Sequence, residues 1–185
     1  MNEGLIARRY AKALYDFALE KDVSREIYDE MKLFERNSIA HPDLHKALSN
    51  PALTPEQKEM LLVTATGIDV GEVYVKFVRL LIKNHREMYM RSICLLYQRI
   101  YREANGIVRV RVLTATNMPA EMQEKIKAFV KRQVEKPLEF VFEVEPAILG
   151  GFIIQMGARQ LDASSRRELK DISLKFLGQD LENVN

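Results

Sequence analysis

Two histidines, one cysteine, a pair of glycines and a group of arginines are the residues whose type and spacing bear on chemistry. His41 and His45 stand four apart, a spacing that sets two imidazoles on one helix face as zinc ligands. Pro42 makes His41 a cap or pre-helix residue, and no cysteine or third histidine nearby completes the set, so no metal site is predicted. Cys94 sits among Ile93, Leu95 and Leu96 and reads as a buried, inert thiol rather than a nucleophile. Gly150-Gly151 lacks the Lys-Ser/Thr ending of a phosphate-binding loop, and no helix follows it. A bend or a close backbone approach explains that pair better. Arg99, Arg102, Arg109 and Arg111 gather near residue 105, with Arg86 and Arg91 before them. Binding to nucleic acid needs aromatic platforms beside such cations, and Tyr97 and Tyr101, at helical spacing, read as core. No Ser-His-Asp set or other convergent polar constellation stands out, so neither an enzyme nor a cofactor is predicted.

The elements that would position these residues begin with a helix over about 4–21. Ile6, Tyr10, Leu14 and Phe17 recur at spacings of three and four. Ala7, Ala11 and Ala18 form a second, small apolar stripe that admits close approach of another helix. Either both stripes face one core, or one is left for a partner. Arg8, Lys12, Asp16 and Glu20 line a charged face, where Lys12 and Asp16 can pair. Further helices are predicted over about 23–39, from Pro42 through His45 to Leu48, from Thr54 to near Gly67, over 70–84 and over 87–104. Asn50-Pro51 breaks the third, because proline disfavours helix in the preceding residue. Thr54-Pro55-Glu56-Gln57 is a helix start, with Thr54 as cap, Pro55 in the first turn and Gln57 closing a capping box. Short connections favour antiparallel neighbours in a bundle.

After Asn105-Gly106 the period changes. Ile107, Val108, Val110 and Val112 alternate with Arg109 and Arg111 as a half-buried strand. Pro119–Val134 returns to helix, with Met122, Ile126, Phe129 and Val130 on one side. Strands follow over Leu138–Val144, Ile148–Met156 and Arg159–Leu161, the last pair joined by a Gly157-Ala158 turn. Ser164 or Ser165 then caps a helix to about Leu177, with Glu168 placed to box with Ser165. The first two strands can pair in parallel through the helical crossover. The fold class is α+β in two domains: a six-helix bundle over 1–105 and a small mixed α/β domain over 106–185.

Composition narrows the function classes. Apolar residues make up 47% and charged residues 29% of the 185, an ordinary globular balance that excludes extensive disorder. The net charge of +2 is too small to imply a polyanionic partner. A single cysteine permits no intrachain disulfide, which fits a reducing compartment. No signal peptide is read at the amino terminus. No apolar stretch approaches the ~20 residues that span a bilayer, and even Val73–Ile82 is interrupted by Lys76 and Arg79.

Three stretches resemble the delta subunit family of F-type ATP synthases, whose mitochondrial relative is the oligomycin-sensitivity-conferring protein. Ala7-Arg8-Arg9-Tyr10-Ala11-Lys12-Ala13-Leu14 is close to the family's Ala-x-x-Tyr-Ala-x-Ala-Leu. Asn50-Pro51 followed by Lys58 matches a second pattern. The most specific is Leu149-Gly150-Gly151-Phe152-Ile153-Ile154, then Gly157, then Asp162-Ala163-Ser164 with Arg166 and Leu169. The chain departs from the family at His85 and Ala163, where glycine is usual, and at Ala158, where aspartate is. A generic helical adaptor shares the composition but leaves the Gly-Gly to Asp-Ala-Ser region unexplained.

The resemblance implies a non-catalytic stator component that links the catalytic head to the peripheral stalk and resists rotation during proton-driven ATP synthesis. It implies that the amino-terminal domain holds the amino-terminal helix of the alpha subunit in a groove between its first and fifth helices. Mapped here, that groove takes in Tyr10, Ala11, Leu14 and Ala18 with Val75, Val78, Arg79 and Ile82. It implies that the carboxy-terminal domain engages the carboxy-terminal end of subunit b. The implied location is peripheral, at the cytoplasmic face of the bacterial inner membrane, without direct insertion. The isolated chain is expected to be a monomer.

Overall fold

The computed structural model describes residues 3–148, 150–157 and 159–164. The chain is α+β and divides into two compact units, Met1–Asn105 and Gly106–Asn185. The first unit contains α1 (Glu3–Glu20), α2 (Ser24–Ala40), α3 (Asp43–Leu48), α4 (Pro55–Thr64), α5 (Glu72–Lys83) and α6 (Met90–Ala104), with a 3-10 turn at Glu87–Tyr89.

The amphipathic helix α6 organises this unit. Ile93, Cys94, Tyr97, Gln98 and Tyr101 are buried, and both α1 and α2 pack along it. Its aromatic side chains are large, so α1 meets it with the small stripe, Ala7, Ala11 and Ala18, plus Leu14, all buried. Tyr15 touches Tyr97 edge-on at 5.9 Å. From α2, Tyr28 stacks on Tyr101 at 4.3 Å, and Gln98 Nε2 donates to Glu35 Oε2 at 2.7 Å. The Cys94 thiol lies 3.1 Å from the Met31 sulfur, and complete burial pushes its pKa well above the ordinary thiol value. Each large apolar side chain so buried contributes roughly 1.5–3 kcal/mol.

Helix α4 starts as its sequence dictates. Thr54 Oγ1 accepts from the Gln57 N–H at 3.3 Å, and Gln57 Oε1 accepts from the Thr54 N–H at 2.9 Å, completing the capping box with Pro55 in the first turn. Asn37 Nδ2 donates to the Ala65 and Thr66 carbonyls, tying the far end of α4 to α2. Lys58 Nζ and Glu87 Oε1 meet at 2.5 Å with side chains only 14% and 8% exposed, an ion pair largely withdrawn from water. Arg79 grips Glu59 with two of its nitrogens, joining α5 to α4.

Two helices end on a left-handed residue that is not glycine. After α1, Asp22 has φ +56, its N–H bonds the Leu19 carbonyl, and the Val23 N–H reaches the Ala18 carbonyl. After α5, His85 has φ +54, its N–H bonds Ile82, and the Arg86 N–H bonds Leu81 at 2.8 Å. Both are Schellman caps, which close the last carbonyls of a helix and favour glycine at this position.

The second unit contains β1 (Val108–Thr114), α7 (Ala120–Lys131), β2 (Leu138–Val144), β3 (Gly151–Met156) and β4 (Arg159–Ser164). The sheet order is β2-β1-β3-β4. β1 pairs with β2 in parallel across the α7 crossover, and the remaining pairs are antiparallel. Val110, Val112 and Ile154 from the sheet meet Ile126 and Val130 of α7, with Phe140, Phe142 and Phe152 packed around them. On β1, alternation places Arg111 out of this core, where it pairs with Glu143 at 2.6 Å.

The third strand starts at Gly151 rather than Ile148, whose N–H closes a turn onto Glu145. The fourth continues past Leu161 to Ser164. Ala163 lies in that strand opposite Phe152, so its position needs no glycine. The helix predicted from Ser165 onward, and Arg166 with it, lies outside the described residues.

Candidate functional site

The groove between α1 and α5 is the candidate site. The predicted groove residues separate into three groups. Ala11, Leu14, Ala18, Val78 and Ile82 are buried in the unit's own core. Arg79 is turned toward α4 by Glu59. Tyr10 alone lines the open hollow, while Val75, half-buried, does not. That hollow, about 520 Å³, is walled by Ile6, Arg9, Tyr10 and Ala13 of α1, Leu80 of α5 and Arg86 beyond it. Tyr10 meets Phe77 of α5 edge-on at 6.4 Å. A second hollow of about 320 Å³ is lined by Phe17 and Lys21 at the other end of α1 and by Gly71, Val73 and Lys76 at the start of α5, with Glu26, Ile27 and Glu30 of α2.

The reason for the difference is visible in α1. Ala7, Ala11, Leu14 and Ala18 fall at i, i+4, i+7 and i+11, and so do Ile6, Tyr10, Ala13 and Phe17, one residue earlier. The two stripes are therefore adjacent, about 100° apart around the helix. The bulky α6 selects the small stripe for the core, and the stripe carrying Ile6, Tyr10 and Phe17 is left facing outward. Phe17 is 39% and Leu80 47% exposed. Sequence reasoning missed Ile6, Ala13, Phe17 and Leu80 as wall residues. The signal was the identical spacing of both stripes.

The electrostatics differ between the two ends. Arg9 and Arg86 stand at one. At the other, Glu72 pairs with Lys76 at 2.6 Å, and Glu30 accepts from the Gly71 N–H at 2.6 Å through one carboxylate oxygen. Its second oxygen is buried and has no hydrogen-bond partner among the described residues. Burial raises the Glu30 pKa above the ordinary carboxylate value, partly opposed by the Gly71 hydrogen bond.

The glycine motif of the second unit is brought together by strand register. Gly150 and Gly151 have φ +143 and +74, conformations that a side chain rarely adopts. Gly151 faces Ser164 and Ile153 faces Asp162 across the β3–β4 pair. These residues shape a hairpin, closed by Gly157 at φ +56.

Among the described residues no group of three or more His, Cys, Asp or Glu side chains is placed to hold a metal ion, and no helix is long and apolar enough to cross a membrane. His41 closes α2, and His45 lies within α3. A hollow walled by Ile6, Tyr10, Ala13 and Leu80 and flanked by two arginines, on a chain of two compact units, is a surface suited to docking another chain.

Residues 6–176 match the model of the ATP synthase delta (OSCP) subunit family, and the chain belongs to that family. The ATP synthase subunit delta of Parabacteroides distasonis is 35% identical over 177 residues, covering 96% of this chain and 98% of that one. That of Phocaeicola vulgatus is 31% identical over 178 residues, with 96% of each chain covered. A chain in the structure of the Toxoplasma gondii mitochondrial ATP synthase hexamer shares the fold, with a TM-score of 0.68 at 15% identity, covering 92% of this chain and 97% of that one. The family is that of a structural, non-catalytic subunit of the ATP synthase stator.

Proposed function

We propose that this chain links the catalytic head of a bacterial ATP synthase to its peripheral stalk by two separate grips. The helical unit, a six-helix bundle over 1–105, takes the amino-terminal helix of the alpha subunit into the groove between α1 and α5. The second unit, 106–185, engages the carboxy-terminal end of subunit b. The assembly is peripheral, on the cytoplasmic face of the inner membrane. Two modules on one chain suit a stator, because linkage raises the effective concentration for the second contact once the first is made.

The observation that carries the groove reading is the outward stripe of α1. Ile6, Tyr10 and Ala13 line an open hollow with Leu80 of α5, and Phe17, 39% exposed, continues the same stripe. Apolar anchors at i, i+3, i+4 and i+7 on an incoming helix fit such a surface.

The test is calorimetric titration of the full chain with a synthetic peptide of the alpha subunit's amino-terminal segment from the same organism. One-to-one binding is expected. Ala13→Trp, which fills the hollow from an exposed position, and Leu80→Asp, which places a charge on its wall, are expected to weaken it at least tenfold while leaving the circular dichroism spectrum unchanged. Absence of binding by folded wild-type chain removes the groove reading.

A further inference from the structure

In α6, Arg91, Leu95, Arg99 and Arg102 follow one another at helical spacing and share one side of the helix. In α2, Arg25, Lys32, Arg36 and Ile39 do the same. The two sides adjoin. Tyr28 stacks on Tyr101, and Met31 meets Cys94. Arg102 Nη1 donates to the Tyr28 hydroxyl at 3.4 Å, and Lys32 Nζ stands 5.3 Å over the Tyr28 ring. These contacts set α2 antiparallel to α6, with Arg25 toward Arg102 and with Arg36 and Ile39 toward Arg91. The opposite flank of α6 receives α1, through Tyr15 on Tyr97, so this face is separate from the hollow between α1 and α5.

The six cations of the face stand among three carboxylates, Asp29, Glu35 and Glu103, an excess of three positive charges. The whole chain has an excess of only two, so positive potential concentrates here. All three carboxylates are engaged, Asp29 by Arg25, Glu35 by Gln98 and Glu103 by Arg99. Arg36 and Arg91 are exposed and form no ion pair among the described residues. Between the cations, Leu95 is 41% and Ile39 59% exposed.

An apolar side chain with an arginine one turn away on each side matches a helix of the same period. Its counterpart has an apolar residue with a carboxylate about 6 Å along the axis in each direction. We propose that the α2–α6 face docks an acidic amphipathic helix of another chain. Its apolar residues lie on Leu95 and Ile39, and its carboxylates meet Arg36, Arg91 and Arg99. The Arg99–Glu103 pair is exposed on both sides, so exchanging Glu103 for an incoming carboxylate costs little. A nucleic acid suits the face less well, because Tyr28 and Tyr101 are buried and offer no ring to a base.

The experiment titrates the isotopically labelled full chain with a synthetic helical peptide of alanine and leucine, glutamate standing four residues either side of each leucine. Chemical-shift changes are expected at the amides of Lys32, Arg36, Arg91, Leu95 and Arg99. A peptide with glutamine for glutamate is expected to bind at least tenfold more weakly. Arg36→Glu combined with Arg91→Glu should weaken binding about tenfold at low ionic strength, the loss shrinking as salt is added. Leu95→Ala should weaken it about threefold at any salt concentration. Arg132→Glu, an exposed cation of the second unit, should leave the affinity unchanged. Absence of binding, shifts centred on Ile6, Tyr10 and Leu80, or an equal loss in Arg132→Glu would overturn the proposal. A single-stranded oligonucleotide that moves the same amides at lower concentration than the peptide would overturn the choice of partner.

Discussion

Replacing His85 tests how α5 is terminated. The residue has φ +54 and supplies the N–H that closes the cap onto Ile82, with the Arg86 N–H bonding Leu81 behind it. A left-handed backbone costs an L-residue about 1–2 kcal/mol, and histidine sits toward the lower end because it visits this region more readily than most. His85→Gly removes that cost and adds freedom to the unfolded chain worth about 0.4–1 kcal/mol. The net expectation is a gain of up to about 1 kcal/mol. His85→Ala keeps the backbone cost, so the glycine variant should exceed the alanine variant by about 1 kcal/mol. Urea unfolding followed by tyrosine fluorescence reads this difference, because all seven tyrosines lie at or before Tyr101 and report only the helical unit. With a slope of about 1–3 kcal/mol per molar, the two midpoints should differ by roughly 0.3–1 M. An alanine variant as stable as the glycine variant, with equal slopes, would refute the argument, since the cap would then carry no left-handed strain.

Three further outcomes follow from buried groups. Lys58→Ala leaves the Glu87 carboxylate, 8% exposed, without its ammonium partner; a loss of about 3 kcal/mol is expected in the same urea assay. Glu30 has a raised pKa because it is buried, so the native state holds its proton more tightly than the unfolded chain does. Wild-type stability should therefore fall as pH rises from the ordinary glutamate range through the raised value, and Glu30→Gln should remove that fall; urea midpoints at about pH 4.5 and 7.5 compare the two slopes. Cys94 is fully buried with its pKa pushed well up, so its reaction with a disulfide reagent should proceed only at the rate of opening of the helical unit, and a fast native-state reaction would contradict the packing.

Helix starts and strand alternation were legible in the sequence because they depend on neighbours along the chain. Thr54, Pro55 and Gln57 predict the start of α4 without reference to anything else, and Val108 to Val112 predict β1. The pair of helices that flank the hollow came from the family resemblance alone, and most of its wall residues were not legible. Which face of α1 is buried depends on the size of the side chains that α6 presents, a fact held some eighty residues away. The same holds for Arg79, whose orientation is set by Glu59 on another helix. At Ala163 the family pattern suggested a position for glycine, and the strand register opposite Phe152 shows why alanine is accommodated.

The connection between the two units has a mechanical consequence. α6 ends at Ala104 and β1 begins at Val108, so tension carried along the chain passes from the helix that holds α1 and α2 into β1 within a few residues. β1 is hydrogen-bonded on both sides, by β2 and by β3. A pull entering at an outer strand would open one ladder bond by bond, like peeling tape. A pull entering at β1 meets two ladders together, and the sheet yields only if both give way.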